Sequence, residues 1–245
     1  MAGKQLDIMT NPIKYLSIIL TLCASIIISA CQTEDPGPLQ AYEKEFSLID
    51  FDRLGMGNAF NIHVTQGNTF SIRARGDRRN IDDLNVFKSG NTLVIEFSEN
   101  GHRNHETDIN ITMPRLEAVN FSGASESRIV GFDNGEGLDL FLSGASICQL
   151  NADYRQVDII LSGASSLRMF GIGEEIKAGV SGASVLRAFD YPVDEAAISL
   201  SGASSGRVYV ASELQAAATG ASTLLYRGFP SVTSSVSGAS SVRHE

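Results

Sequence analysis

Apolar residues along this chain recur at alternate positions, the period of a strand with one face buried and the other solvated. Phe60, Ile62 and Val64 form one such run, and Phe70, Ile72 and Ala74 a second. Leu93, Ile95 and Phe97 make a third, and Ile109, Ile111 and Met113 a fourth. Gln66-Gly67-Asn68 and Ser89-Gly90-Asn91 stand before two of these runs and supply turn chemistry, and Pro114 ends the series. The pattern predicts a β-meander over residues 42–114, with one helical turn near Ile81 to Leu84.

From residue 115 the alternation continues, but it becomes a repeat. Ser-Gly-Ala-Ser begins at Ser122, Ser143, Ser162, Ser181, Ser201 and Ser237, and Thr219-Gly220-Ala221-Ser222 is a seventh copy. The intervals are 21, 19, 19, 20, 18 and 18 residues. Aligned on the first Ser, the preceding position holds Phe121, Leu142, Leu161, Val180, Leu200, Ala218 and Val236. Five and seven residues after the Ser come pairs such as Cys148 with Leu150 and Leu167 with Met169. With the motif Ala read as a further inward position, the phase slips by one residue inside the tetrapeptide. A Gly-containing slip suits a corner or bulge.

Two short strands per coil of about 19–20 residues, with small residues at each corner, predict an all-β fold: a parallel β-helix, or β-solenoid, over 115–245. Leucine-rich repeats share the length but not the Leu-x-x-Leu-x-Leu frame, and helical repeats need a period of 3.6. Stacked Ser hydroxyls can hydrogen-bond along such a ladder, so architecture accounts for the motif without chemistry. Segment 42–114 is expected to cap the first coil, because an uncovered sheet edge invites aggregation. Polar drift at Ser234, Ser235 and His244 is expected to blunt the other end.

The start of the chain is an address. Lys4 and Lys14 precede an uncharged apolar run from Tyr15 to Ile28, too short for a comfortable membrane span and right for a secretory signal. Met9 is an alternative start, being nearer to that run. Ile28-Ser29-Ala30-Cys31 resembles the lipobox of bacterial lipoproteins, which implies a signal peptide over 1–30 and lipid attachment at Cys31. Residues 31–41, polar and rich in Pro and Gly, are expected to be a tether. Glu34 and Asp35 within it resemble a surface-export signal of Bacteroidetes lipoproteins. The expected location is the outer membrane, facing the periplasm or the exterior, with the membrane as partner through the lipid.

A net charge of −9, made more negative by loss of the signal segment, argues against nucleic acid as a partner. With Cys23 in the signal and Cys31 acylated, Cys148 is left as a lone thiol, expected to be a small buried hydrophobe.

Met113-Pro114-Arg115-Leu116, the run Val119-Asn120-Phe121-Ser122-Gly123-Ala124-Ser125 and the recurring Ser-Gly-Ala-Ser together resemble the family of auto-transporter adhesins with a head GIN domain. The resemblance runs from Phe46 to Glu245. It implies a β-helical bacterial envelope protein with a lipoprotein signal, and it brings no catalytic residues.

Motifs that promise chemistry have plainer explanations. Gly202-Ala203-Ser204-Ser205-Gly206 matches a nucleophile elbow, yet it is one solenoid corner among seven. His102, His105 and Asp108 lie in a polar loop where solvation is expected rather than metal binding. Gly135-Glu136-Gly137-Leu138-Asp139 is half of a calcium-binding repeat without tandem copies, and Arg75-Gly76-Asp77 reads as a strand ending in a turn. Neither cofactor nor metal is expected.

One surface pattern stands out. Six residues after the motif Ser come Arg128, Arg168, Arg187, Arg207 and Arg243, and eight after it Phe170, Phe189 and Tyr209. Both sets are expected to point outward. They form either a self-contained arginine–aromatic lattice or a surface for a protein or glycan ligand, a second copy of the chain included. The reading is a non-enzymatic, lipid-anchored, adhesin-like envelope protein. The alternatives are a polysaccharide-processing enzyme on a β-helix, or a structural or signalling envelope component. Against the enzyme, Asp133, Glu136, Glu174, Glu175, Asp194 and Glu195 are expected in connections rather than in one column.

Overall fold

The computed structural model describes residues 37–99, 101 and 103–245; the signal segment, Cys31 and most of the tether lie outside the described residues. Parallel rungs dominate. Each rung has a strand leading into the motif and a strand leaving it. The leading strands are β8 (Ala118–Phe121), β10 (Gly135–Leu142), β12 (Tyr154–Leu161) and β14 (Glu175–Val180), and the leaving strands β9 (Glu126–Val130), β11 (Ile147–Asn151) and β13 (Ser166–Phe170). Two longer strands, β15 (Val185–Leu200) and β16 (Ser205–Ala218), bend from one ladder into the other, and β17 (Thr223–Arg227), β18 (Ser231–Val236) and β19 (Ser241–His244) follow. Leading strands pair with leading strands and leaving with leaving, in parallel and one repeat apart: Leu142 stands opposite Leu161, and Cys148 opposite Leu167. The inward columns of both ladders meet in one apolar core.

The corner itself differs from the expected phase. The motif Ala is exposed, and the final Ser is the inward residue: Ser125, Ser146, Ser165, Ser184, Ser204 and Ser222 are all buried. Each corner Gly has a positive φ, from 71° at Gly182 to 80° at Gly220, and this left-handed residue folds the chain so that inward parity is regained four residues on. A Cβ on Gly202 would stand 2.8 Å from the Gly182 carbonyl oxygen, so only Gly fits. That carbonyl accepts from the Ala203 amide at 2.8 Å, and the same backbone link recurs from Ala145 to Ala239. The buried hydroxyls are satisfied locally: Ser165 Oγ donates to Ser162 O and Ser222 Oγ to Thr219 O, both at 2.8 Å. Hydroxyl-to-hydroxyl links between rungs also form, from Ser125 to Ser146 at 3.2 Å and from Ser222 to Ser240 at 3.3 Å.

The second bend uses tyrosines. Tyr154 Oη donates to Leu116 O at 2.9 Å, reaching past the rung of Gly135, where a Cβ would collide with the Tyr154 ring. Tyr191, fully buried, repeats the device: its hydroxyl donates to Tyr154 O and accepts from Tyr154 N, both at 3.1 Å. Its ring crosses Gly173, where a Cβ would lie 2.8 Å from it. Burial pushes the Tyr191 hydroxyl up to about 12 and raises that of Tyr154 as well.

Residues 41–113 hold two kinds of pairing. The expected meander is corrected: antiparallel pairs join β1 (Ala41–Phe46) to β4 (Ser71–Asp77), β4 to β7 (Thr107–Met113) and β5 (Leu84–Ser89) to β6 (Thr92–Phe97), and of these only β5 and β6 are consecutive. In contrast, β2 (Arg53–Met56) and β3 (Asn61–Gln66) form a parallel rung. That rung lies between β6–β7 on one side and β8–β9 on the other. Alternation and turn residues fix strands but not partners, so the sequence does not separate these two kinds. The β2–β3 corner, Gly57-Asn58-Ala59, carries no motif and instead holds Asn58 and Ala59 at φ 64° and 58°. A short helix α1 (Arg78–Asp82) is capped by Asp77, whose carboxylate accepts from the Arg79 amide at 3.0 Å.

Candidate binding face

Alternation in the leaving strands buries Leu167, Met169, Leu186, Ala188 and Val208 and turns the residues between them outward. The arginines six after the motif therefore stack in register. Arg168 stands opposite Arg187 and Arg187 opposite Arg207, and the column extends through Gln149 to Arg128 and through Leu225 to Arg243. All five arginines are exposed.

The rings do not form the continuous row expected of them. A register shift after Arg168 places Asp190, not Phe189, opposite Phe170. Phe170 and Phe189 are half-buried and only Tyr209 is exposed. The Arg168 guanidinium lies 4.6 Å from the centre of its own Phe170 ring, and Arg227 covers Phe189 at 4.2 Å. Arg168 also pairs with Asp190 at 3.5 Å. This part of the face is the arginine–aromatic lattice. Arg187 and Arg207 are different: Arg187 donates to Ser166 Oγ at 2.7 Å, and neither has a carboxylate partner among the described residues.

An acidic column occupies the outward side of the leading ladder, which corrects the expectation that Glu175 and Glu195 lie in connections rather than in one column. Gln156, Glu175, Glu195 and Glu213 stand opposite one another in successive rungs, inside strands. Lys177 holds Glu175 at 2.8 Å and Gln215 donates to Glu213 at 2.9 Å. Glu195 makes no ion pair within 4 Å among the described residues, although Lys177, bound to Glu175, also acts on it across the ladder. The signal was available: each of these carboxylates stands six residues before a motif start, as the arginines stand six after.

An open groove of about 680 Å³ runs beside the second bend and is bordered by Arg53, Arg115, Arg155, Glu117, Glu136 and Asp139. Most of its charges are paired with one another, Arg115 with Glu117 at 3.0 Å, Arg155 with Glu136 at 3.0 Å and Arg53 with Asp139 at 3.7 Å, while Asp133 and Asp158 also line it. Arg115 also reaches the buried Asp52 at 2.9 Å.

The remaining motifs resolve into structure. Ser204 is buried and its hydroxyl donates to Val180 O at 3.1 Å, as a corner residue does, so it is not displayed on an elbow. Asp77 of the Arg-Gly-Asp triplet is buried, accepting from Arg79 and from the Gln40 amide; the Arg79 guanidinium holds its carboxyl well below the usual carboxylate range. His102 lies outside the described residues, while His105 sits 3.8 Å from Asp77. No cluster of three or more His, Cys, Asp or Glu suited to a metal occurs among the described residues. Cys148 is buried in its apolar column, and burial pushes its thiol up to about 12.

In-register parallel rungs with glycine corners and a single internal core define a parallel β-solenoid. The chain belongs to the family described as "Putative auto-transporter adhesin, head GIN domain", whose model matches residues 50–230. Its fold is similar to a putative adhesin from Bacteroides fragilis, with TM-score 0.77 and 18% identity, covering 84% of this chain and 97% of that one. A putative adhesin from Parabacteroides merdae gives TM-score 0.68 at 17% identity, covering 84% and 96%. A protein described as a putative lipid binding protein from Parabacteroides distasonis gives 0.70 at 16%, also covering 84% and 96%. Comparison with curated proteins finds no match.

Proposed function

We propose that this protein is a non-catalytic binding protein of the bacterial envelope, anchored in the outer membrane by lipid on Cys31 and meeting its ligand on the basic face of the leaving ladder. The observation that carries this reading is the pair Arg187 and Arg207, stacked in register and exposed without carboxylate partners among the described residues. Like charges one rung apart, about 4.8 Å, repel each other, and an external anionic group relieves that repulsion. Membership of an adhesin-described family and the lipobox-like Ile28-Ser29-Ala30-Cys31 support the envelope setting.

The groove beside the second bend favours the polysaccharide-processing alternative, since it brings carboxylates and arginines together. The ion pairs that hold Glu117, Glu136 and Asp139 weigh against it, because a general acid or base has to be free to exchange a proton. Two measurements test the proposal. Labelled fatty acid should enter the wild-type protein and not Cys31→Ser, which should leave the membrane fraction. Purified protein should retain envelope anionic glycan or protein on a column without turning it over, and Arg187→Gln/Arg207→Gln should reduce retention at least tenfold. Release of shortened polysaccharide by the wild type would overturn the reading.

A further inference from the structure

The two faces of the solenoid carry opposite ladders. Three arginines, Arg168, Arg187 and Arg207, occupy successive rungs on one face. Three glutamates, Glu175, Glu195 and Glu213, occupy successive rungs on the other. Inward residues from both ladders share one core, so the two charged columns look away from each other and cannot neutralise one another within the chain. We propose that the partner for the arginine face is a second copy of this protein, docked laterally with its glutamate column against the arginine column. This deepens the reading above, since it names the occupant of the same face.

Both columns advance by one rung per charge, and the rungs are parallel and in register, so two copies with axes aligned match several charges at once. The internal pairings leave room for this. Arg187 and Arg207 lack acidic partners among the described residues, and Glu195 makes no direct ion pair, sharing with Glu175 the single charge of Lys177. Docking therefore removes like-charge repulsion from both ladders at once. Apolar side chains flank the columns. Phe141 and Ile160 are exposed and in register on the glutamate side, and Ile147 is exposed on the arginine side. Because the two surfaces are different patches, the contact is heterologous, and repetition gives an open row of copies unless it closes into a ring.

Sedimentation and light scattering of residues 32–245 at low salt should show association that grows with concentration. The association should fall at least tenfold in 0.5 M salt, where the screening length drops to a few ångströms. Arg187→Gln/Arg207→Gln keeps only the glutamate column, and Glu195→Gln/Glu213→Gln keeps only the arginine column. Each variant alone should be monomeric with an unchanged circular dichroism spectrum. Mixed one to one, they should form a dimer that grows no further, because only one complementary contact remains. A wild type that stays monomeric at low salt overturns the inference, as do variants that associate like the wild type. If the glutamate variant retains envelope ligand while the wild type never self-associates, the arginine-face reading stands and the second-copy partner falls.

Discussion

The two bends of each rung solve one problem in different ways. At the motif corner, each copy touches copies of itself, and the link is backbone to backbone, Ala amide to Gly carbonyl, repeated rung after rung. At the second bend the rungs differ in length, and two buried tyrosines cross an intervening glycine to tie alternate levels together. A corner that must stack on its own image admits one local sequence. A bend stitched by long side chains tolerates any sequence that leaves a path for the ring. Repetition in sequence therefore marks where backbone meets backbone, and its absence does not mark disorder.

Substitutions at the two bends should separate these solutions. The largest effect is expected for Gly202→Ala, which places a Cβ 2.8 Å from the Gly182 carbonyl at a φ of 75°. The left-handed penalty of about 1–2 kcal/mol adds to displacement of the neighbouring rung, so a loss of roughly 3 kcal/mol in denaturant titration is expected. Tyr191→Phe should come next, at about 2 kcal/mol, because the buried Tyr154 amide and carbonyl lose the hydroxyl that serves both. If Tyr191→Phe proved neutral, the second bend would be held by packing alone. Ser165→Ala removes one hydroxyl that bonds within its own corner and should cost about 1 kcal/mol, confirming that glycine rather than serine sets the turn. Smallest and opposite in sign, Ala59→Gly in the motif-free corner should stabilise by up to about 1 kcal/mol by relieving its φ of 58°.

The solenoid was legible because its corners are spelled alike, and the arginine column because it keeps a fixed offset from them. The glutamate column keeps an equally fixed offset on the other side of the motif. It escaped because Glu175 and Glu195 sit near the rung starts, where loops are usually acidic. The phase at the corner was misread because Ala is apolar and Ser polar, whereas burial there is decided by the left-handed glycine and by hydroxyls that find carbonyls. The aromatic row was misread because a bulge between Arg168 and Phe170 shifts the register by a residue, which spacing alone does not reveal. The rung β2–β3 was missed for a topological reason. Its partners, β6 with β7 and β8 with β9, lie far along the chain, and no tetrapeptide announces its corner.

A strut two storeys tall fixes the number of storeys between its ends. Tyr154 reaches from its own level to Leu116, and Tyr191 from its level to Tyr154, so no single level between Leu116 and Tyr191 can be dropped or added without stranding a hydroxyl. Above Tyr191 the two-level tie is the surface contact of Arg227 over Phe189, so among the described residues a change of height there strands no buried hydroxyl.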